Sequence, residues 1–376
     1  MSLEELKKQM TDFSNVNKFV LDRFDRNLYM LKNHPLEIIK RKIYEYFLSY
    51  DNTFKIHENL NKIVSTEDNF DKLLIPITHP ARSKSDTYYV NENHVLRTHT
   101  TAHQTQLLQQ GEDKFIICGD VYRKDEIDMS HYPIFCQVEG VILYNKDDQI
   151  DLSEKLINIL KGLTEHLFKG CESRVNPDYF PFTHPSYEME VLYDGKWLEV
   201  LGCGIIQEKI LENCNVKNKK GIAWGIGLER LAMILFKIPD IRYFWMTDNK
   251  FLDQFSSGAL DVKFTPFSPL PPIYRDLSIY INNSSEILTE NEKFKWTKEM
   301  DFLDEIRLCS DDSIKSIEMI DQFYNKKLDK YSICYRMHYS PNNYKIINPT
   351  DFKDEVDGLQ NKIREHLKKL LWLEVR

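Results

Sequence analysis

Apolar residues recur at three- and four-residue intervals after Asn33-His34-Pro35, at Leu36, Ile39, Ile43, Tyr46 and Phe47. That spacing predicts an amphipathic helix, with Pro35 in the first turn, where its missing N–H costs nothing. From Val95 to Tyr144 the pattern becomes short β-rich runs, among them Phe115–Cys118 and Gly140–Tyr144, divided by charged turns. Such runs predict strands of a largely antiparallel sheet. Helical spacing returns between Asp151 and Phe168. A second strand set runs from Tyr187 to Ile206, and Gly225-Ile226-Gly227 leads into an apolar helix, Leu228–Phe236, stopped near Pro239.

The clearest boundary lies near residues 246–272, where Ser256-Ser257-Gly258 is followed by Pro266, Pro269, Pro271 and Pro272. Beyond it the pattern predicts a strand over Ile273–Ile281 and an acidic helix around Glu290–Leu308. A further helix is expected near Ser313–Tyr324, then a strand over Tyr331–Tyr339 and a closing helix from Phe352 to Leu370. Together these elements predict an α+β fold with helices against one sheet face.

Composition narrows the possibilities. A chain of 376 residues with 42% hydrophobic and 12% aromatic residues holds two or three domains at about 150 residues each and can close a sizeable core. Its 50 Lys+Arg against 58 Asp+Glu give a net charge of −8, which argues against non-specific coating of nucleic acid. The longest apolar runs are short and broken by charge, so no membrane association is expected. Seven scattered cysteines without a C-x-x-C pair suggest a reducing compartment rather than a disulfide framework or zinc finger. Residues 1–6 show no import signal.

Four clusters could carry chemistry. In Gly119–Gly140 two strands flank a charged loop, with Arg123 at the exit of the first and Gln137 and Glu139 on one face of the second. A guanidinium there can clamp a phosphate with two hydrogen bonds, and the amide and carboxylate can receive an ammonium group. Taken alone, a solvated hairpin with ordinary ion pairs accounts for it as well. In Leu96–Gln104, His99 and His103 have zinc-helix spacing, but no Glu follows His99 and the threonines suit a strand end better. Gly225–Arg230 lacks the third glycine of a dinucleotide fingerprint. Tyr179–Pro185 holds aromatics around a proline that could wall a pocket but, taken alone, fit a core better.

The order of these clusters is more specific than any one of them. An Arg-bearing hairpin followed by a Gly-rich strand entering an Arg-bearing helix resembles motifs 2 and 3 of class II aminoacyl-tRNA synthetases. Leu96-Arg97-Thr98-His99-Thr100, Phe135–Gly140, Tyr179-Phe180-Pro181-Phe182 and Gly225–Arg230 look like signatures of the phenylalanyl-tRNA synthetase family. Asn33–Leu36, Trp197–Gly204, Ile238–Arg242 and the tail from Phe264, with Tyr274–Ser278, resemble its single-chain mitochondrial form.

The resemblance implies a class II antiparallel sheet flanked by helices, plus a C-terminal ferredoxin-like (βαββαβ) anticodon-binding domain. It divides the chain into a helical extension (1–32), a catalytic domain (33–245), a linker (246–265) and the anticodon-binding domain (266–376). The implied reaction joins L-phenylalanine and ATP into phenylalanyl-adenylate and passes the acyl group to the terminal ribose of tRNA(Phe). The alternatives are a non-charging tRNA-binding paralogue, or an enzyme that activates another carboxylate. By resemblance Arg123 and Arg230 are catalytic and bind ATP with Ser130, His131, Tyr132 and Glu199, the last also holding Mg²⁺. Phenylalanine falls to His99, Thr101, Ala102, His103, Gln104, Gln137, Val138, Glu139, Phe180, Phe182, Ala223, Trp224 and Gly225. Lys326, Lys327, Lys330, Lys362, Arg364, Lys368 and Lys369 are the expected tRNA contacts. A monomer without a second subunit is implied, in the mitochondrial matrix, with the cytoplasm as the alternative in the absence of an import signal.

Overall fold

In the computed structural model the main body is a seven-stranded sheet covered on one face by helices. The structure describes residues 2–246, 249–266, 270–282, 284–290, 293–310, 312–339, 348–370 and 372–376. The sheet strands are β1 (Lys55–His57), β2 (Lys114–Tyr122), β3 (Ile134–Asn145), β4 (Ser173–Asp178), β5 (Thr183–Tyr193), β6 (Lys196–Ile206) and β7 (Lys219–Gly227). Their spatial order is β1-β2-β3-β7-β6-β5-β4. All neighbours pair antiparallel except β1 with β2.

The two-residue alternation decides which face is dry. Cys118, Cys136, Val138, Ile222, Trp224, Leu201 and Cys203 point into the main core, under helices α1 (Pro35–Tyr50) and α2 (Leu152–Phe168). Helix α1 starts where the sequence predicts, with Pro35 at its first position and the His34 ring accepting from Leu36 N–H. Its Leu36, Ile39, Ile43 and Phe47 are buried on one side. The apolar helix after β7 is α3, Leu228–Phe236. The expected linker is not slack: its Phe251, Phe255 and Phe264 are buried in the same core. The N-terminal segment is also packed, through Phe19, Val20, Phe24, Leu28 and Tyr29.

The tail forms a second core on a four-stranded sheet. Its strands β8 (Ile273–Ile281), β9 (Ile314–Asn325), β10 (Lys330–Tyr339) and β11 (Leu373–Val375) lie in the order β9-β10-β8-β11, with all pairs antiparallel. Helices α4 (Glu299–Ser310) and α5 (Pro349–Leu367) follow β8 and β10 in the chain. The segment Ser313–Tyr324, expected as a helix, is therefore strand β9. The expected start of the acidic helix near Glu290 is also displaced: a hairpin, Ile287–Glu290 with Lys293–Trp296, precedes α4. The closing helix stops at Leu367, which leaves room for β11.

The second unit docks on the first through buried charge. Lys124, at the start of the β2–β3 loop, pairs with Asp301 of α4 at 2.6 Å, and Arg307 donates to the carbonyls of Asp125 and Glu126 at 2.9 and 3.0 Å. Asp312 receives Arg23 at 3.0 Å and the Tyr132 hydroxyl at 2.9 Å. The Arg23 side chain is only 5% exposed, so removing the Asp312 carboxylate takes an ionic contact from a buried cation. Asp312→Ala is expected to cost about 3 kcal/mol of unfolding free energy in denaturant melts. A shift below about 0.5 kcal/mol, the range of ordinary surface changes, contradicts this account of the interface.

Candidate active site

The face of the sheet away from α1 and α2 carries a cleft of about 820 Å³. Its floor follows from strand register. Gln137 pairs with Gly227, Glu139 with Gly225 and Val141 with Ala223, while Gly225 and Ala223 face Gly202 and Gly204 of β6. All of these share one side of the sheet. The glycines leave a slot that side chains would fill. A Cβ on Gly202 would lie 2.8 Å from the Phe180 ring, and one on Gly225 2.8 Å from the Gln137 amide nitrogen. Phe180 and Phe182 stand over the slot as parallel rings 5.9 Å apart at 10°.

Glu139 lies at the polar end and is 2% exposed. Its Oε2 accepts the hydroxyls of Thr101 at 2.5 Å and Thr100 at 3.2 Å, while Oε1 has no partner among the described residues. Burial raises its pKa to about 7 against the pull of these hydroxyls and of Arg97. His99 also lines the cleft, with both ring nitrogens buried and without a side-chain partner among the described residues. Burial first, and then the Arg123 charge, lower its pKa to about 3, so the ring is neutral. A buried carboxylate oxygen and a neutral imidazole without side-chain partners suit a ligand that brings an ammonium group.

Arg123 and Arg230 line the same cleft from different elements. Arg123 spends its Nε on the Thr98 carbonyl at 2.8 Å, which fixes the guanidinium and leaves both terminal nitrogens free for an anion. Arg230, at the start of α3, pairs with Glu199 of β6 at 2.7 Å, with both side chains about half exposed. The neighbouring Glu229 is buried, accepts the Cys136 N–H at 2.9 and 3.0 Å, and is pushed to about 8 by burial. It ties α3 to β3, which pairs with β2, the strand that leads into Arg123, so the two arginines hold a fixed relation. At position 136 the backbone therefore makes the bond, while the Cys136 thiol sits in the core 3.5 Å from Cys118.

The cleft gathers most, not all, of the residues singled out above. His99, Thr101, Gln137, Glu139, Phe180, Phe182, Ala223 and Gly225 line it, as do Ser130, His131 and Glu199. Ala102, His103, Gln104 and Val138 do not. Thr100–His103 is a 3₁₀ turn rather than a strand end, and it continues into a helix over Gln104–Gln109. The turn swings His103 back, so that its Nε2 meets the Asn61 carbonyl at 2.9 Å. Val138 alternates into the main core. Trp224 contributes backbone only, because its indole stacks on Phe47 at 4.6 Å on the other side of the sheet. Tyr132 also lines the cleft, with its hydroxyl held by Arg23 and Asp312 and its ring stacked on Trp245.

The sequence reading missed Phe135. It stands two residues before Gln137 on the same strand face, lines the cleft, and lies 5.1 Å beneath the Arg123 guanidinium. Alternation along β3 was the signal for it. Among the basic residues of the tail, Lys326 and Lys327 are exposed in the β9–β10 turn and Lys369 is exposed after α5. The others are engaged within the protein. Lys330 pairs with Glu374 and Lys368 with Glu365, while Lys362 and Arg364 donate to the carbonyls of Cys309, Arg376 and Asp276.

The family described as tRNA synthetases class II core domain (F) matches residues 19–255. Phenylalanine–tRNA ligase, chloroplastic/mitochondrial, of Arabidopsis thaliana is 42% identical over 96% of this chain and 83% of its own length. The chain belongs to the phenylalanine–tRNA ligases, within the class II aminoacyl-tRNA synthetases. The mitochondrial enzyme of Mus musculus is 38% identical over 97% of this chain and 86% of its own. That of Dictyostelium discoideum is 36% identical over 98% and 90%. Membership in this ligase family extends through the tail as well as the core, since these matches run well beyond residue 255. No helix among the described residues is long and apolar enough to cross a membrane.

Proposed function

We propose that the cleft makes phenylalanyl-adenylate from L-phenylalanine and ATP and presents it to the terminal ribose of tRNA(Phe). The observation that carries this reading is one cleft holding an unpartnered buried carboxylate oxygen, a paired-phenyl slot and two arginines from separate elements. The substrate ammonium would sit on Glu139 Oε1, with Gln137, His99 and Thr101 around it. The benzyl ring would fill the slot between Phe180, Phe182, Ala223 and Gly225. Its carboxylate then lies toward Arg123, whose free terminal nitrogens bind that carboxylate and the α-phosphate. Their charge holds nucleophile and phosphorus together and offsets the negative charge that grows in transfer. Phe135 offers adenine a stacking face, and Arg230 meets the outer phosphates once it leaves Glu199.

Mg²⁺ fits this donor set. Glu199, a half-exposed carboxylate lining the cleft beside Arg230, offers the hard oxygen ligand that ion takes. When bound it would neutralise phosphate charge, and Glu199 would be its protein ligand. Ser130 and His131 are fixed on the β2–β3 loop by Asp128 and would border the nucleotide. For tRNA, Lys326, Lys327 and Lys369 remain free to meet phosphates, and the exposed Phe323 and Tyr324 beside the β9–β10 turn offer faces to unpaired bases. The chain would work without a second subunit and in the mitochondrion, the compartment that the names of its relatives give.

Two assays test this reading. ATP–pyrophosphate exchange across the twenty amino acids should respond to phenylalanine above all, and charging should require tRNA(Phe). Exchange driven by another carboxylate, or adenylate formation without tRNA charging, overturns it. Ala223 supplies a further check, because its methyl closes the slot opposite Gly204 and Val141. Ala223→Gly should raise kcat/KM for para-chlorophenylalanine about tenfold, as one more methylene of room is worth roughly 1–3 kcal/mol. An unchanged ratio to phenylalanine places the para position elsewhere.

A further inference from the structure

The run that supplies the slot also leaves one ring outside it. Phe180 and Phe182 stack over the floor, whereas Tyr179, at the end of β4, is 74% exposed while still lining the mouth of the cleft. Its backbone is held by Asp178 Oδ1, which accepts the Tyr179 N–H at 2.7 Å. Its hydroxyl has no partner among the described residues. Among the described residues nothing in the packing accounts for a tyrosine here, since the ring joins no core cluster and pairs with no neighbouring ring.

We propose that Tyr179 is a stacking platform for the 3′-terminal adenine of tRNA during acyl transfer. The inference rests on the proposed reaction and adds a residue for its second step. Geometry limits where that base can go. Once the adenylate is formed, the slot holds the phenyl ring and the Phe135 end holds the first adenine. The terminal ribose must still bring a hydroxyl to the acyl carbonyl, which lies between them. Its base therefore stays at the rim, and the free aromatic face there adjoins Phe180, on the amino-acid side. A base on an aromatic ring contributes about 1–3 kcal/mol without reading sequence, which is enough to hold a single flexible nucleotide. In that position the ribose hydroxyl oxygen attacks the acyl carbon, the bond from that carbon to the phosphate oxygen breaks, AMP leaves with the electron pair, and the hydroxyl proton passes to a phosphate oxygen of the departing AMP.

The test uses the full-length enzyme with tRNA(Phe) and the variants Tyr179→Ala and Tyr179→Phe. ATP–pyrophosphate exchange with phenylalanine should stay within about twofold of the parent in both, because the ring stands exposed at the mouth of the cleft and not in the slot. Single-turnover transfer from preformed adenylate should slow about 5- to 150-fold in Tyr179→Ala, the range that one stacked base gives, and be retained in Tyr179→Phe. As an inhibitor of charging, tRNA ending in CC should bind the parent more weakly than uncharged tRNA ending in CCA, and this preference should vanish in Tyr179→Ala. Transfer at the parental rate in Tyr179→Ala overturns the proposal. So does loss of exchange in parallel with transfer, which would mean that the ring closes over phenylalanine instead. A parent enzyme that exchanges but never charges tRNA would overturn the proposed function itself, a result distinct from either of these.

Discussion

Arg123→Lys lowers the rate of phenylalanine-dependent ATP–pyrophosphate exchange about 100-fold, and Arg123→Ala about 1000-fold, with a rise in KM for phenylalanine as well, because the same nitrogens hold its carboxylate. Lysine keeps the charge, so the loss isolates geometry. Arg123 commits Nε to the Thr98 carbonyl and still has two donors for the oxygens at the reacting phosphorus. A lysine ammonium cannot hold that anchor and clamp two oxygens at once. Removing one preorganised donor at a point of developing charge costs about 2.7–4 kcal/mol, and that part of the effect belongs in kcat because the charge peaks in the transition state. Equal activity of Arg123→Lys and the parent would remove Arg123 from the chemistry.

The second large effect is expected at Glu139. Glu139→Gln should raise KM for phenylalanine about 100-fold, since a buried charge loses its ionic partner, a change worth about 2–5 kcal/mol. The parent should also show a pH dependence that the variant lacks. Burial disfavours the carboxylate and raises its pKa to about 7 in the free enzyme. Below that value Glu139 is neutral and cannot attract an ammonium group. The parental kcat/KM for phenylalanine should therefore fall as pH drops through 7 and level off above it, because kcat/KM reports the free enzyme. In Glu139→Gln the same plot should be flat across this range. A parental profile with no inflection near 7 would mean that Glu139 does not receive the substrate amine.

How much of this was legible in the sequence depended on period. Strand β3 was readable because its alternation is unbroken, so Gln137 and Glu139 share a face in the structure as in the reading, and the same rule reaches Phe135. Strand β9 was not. Register shifts between Ile314 and Ser316 and between Met319 and Asp321 insert residues into its ladder. Those shifts turn a period of two into spacings of three between Ile314, Ile317 and Ile320, which mimic a helix. The turn at Thr100–His103 failed for another reason. Thr100 and Thr101 bend the backbone to reach the Glu139 carboxylate, a tertiary bond that no local propensity encodes. Nor could the sequence show that Lys124 and the Tyr132 hydroxyl bond the second unit, because Asp301 and Asp312 lie about 180 positions away along the chain.

The central claim is that one cleft holds both ends of the adenylate. A crystal structure with a non-hydrolysable phenylalanyl-adenylate analogue measures it directly. The account predicts the ammonium on Glu139 Oε1, the phenyl ring between Phe180, Phe182 and the Gly202–Gly225 floor, and the phosphate mimic on the free nitrogens of Arg123. An analogue seated elsewhere, or bound here with its amine away from Glu139 and its phosphate mimic away from Arg123, would contradict it.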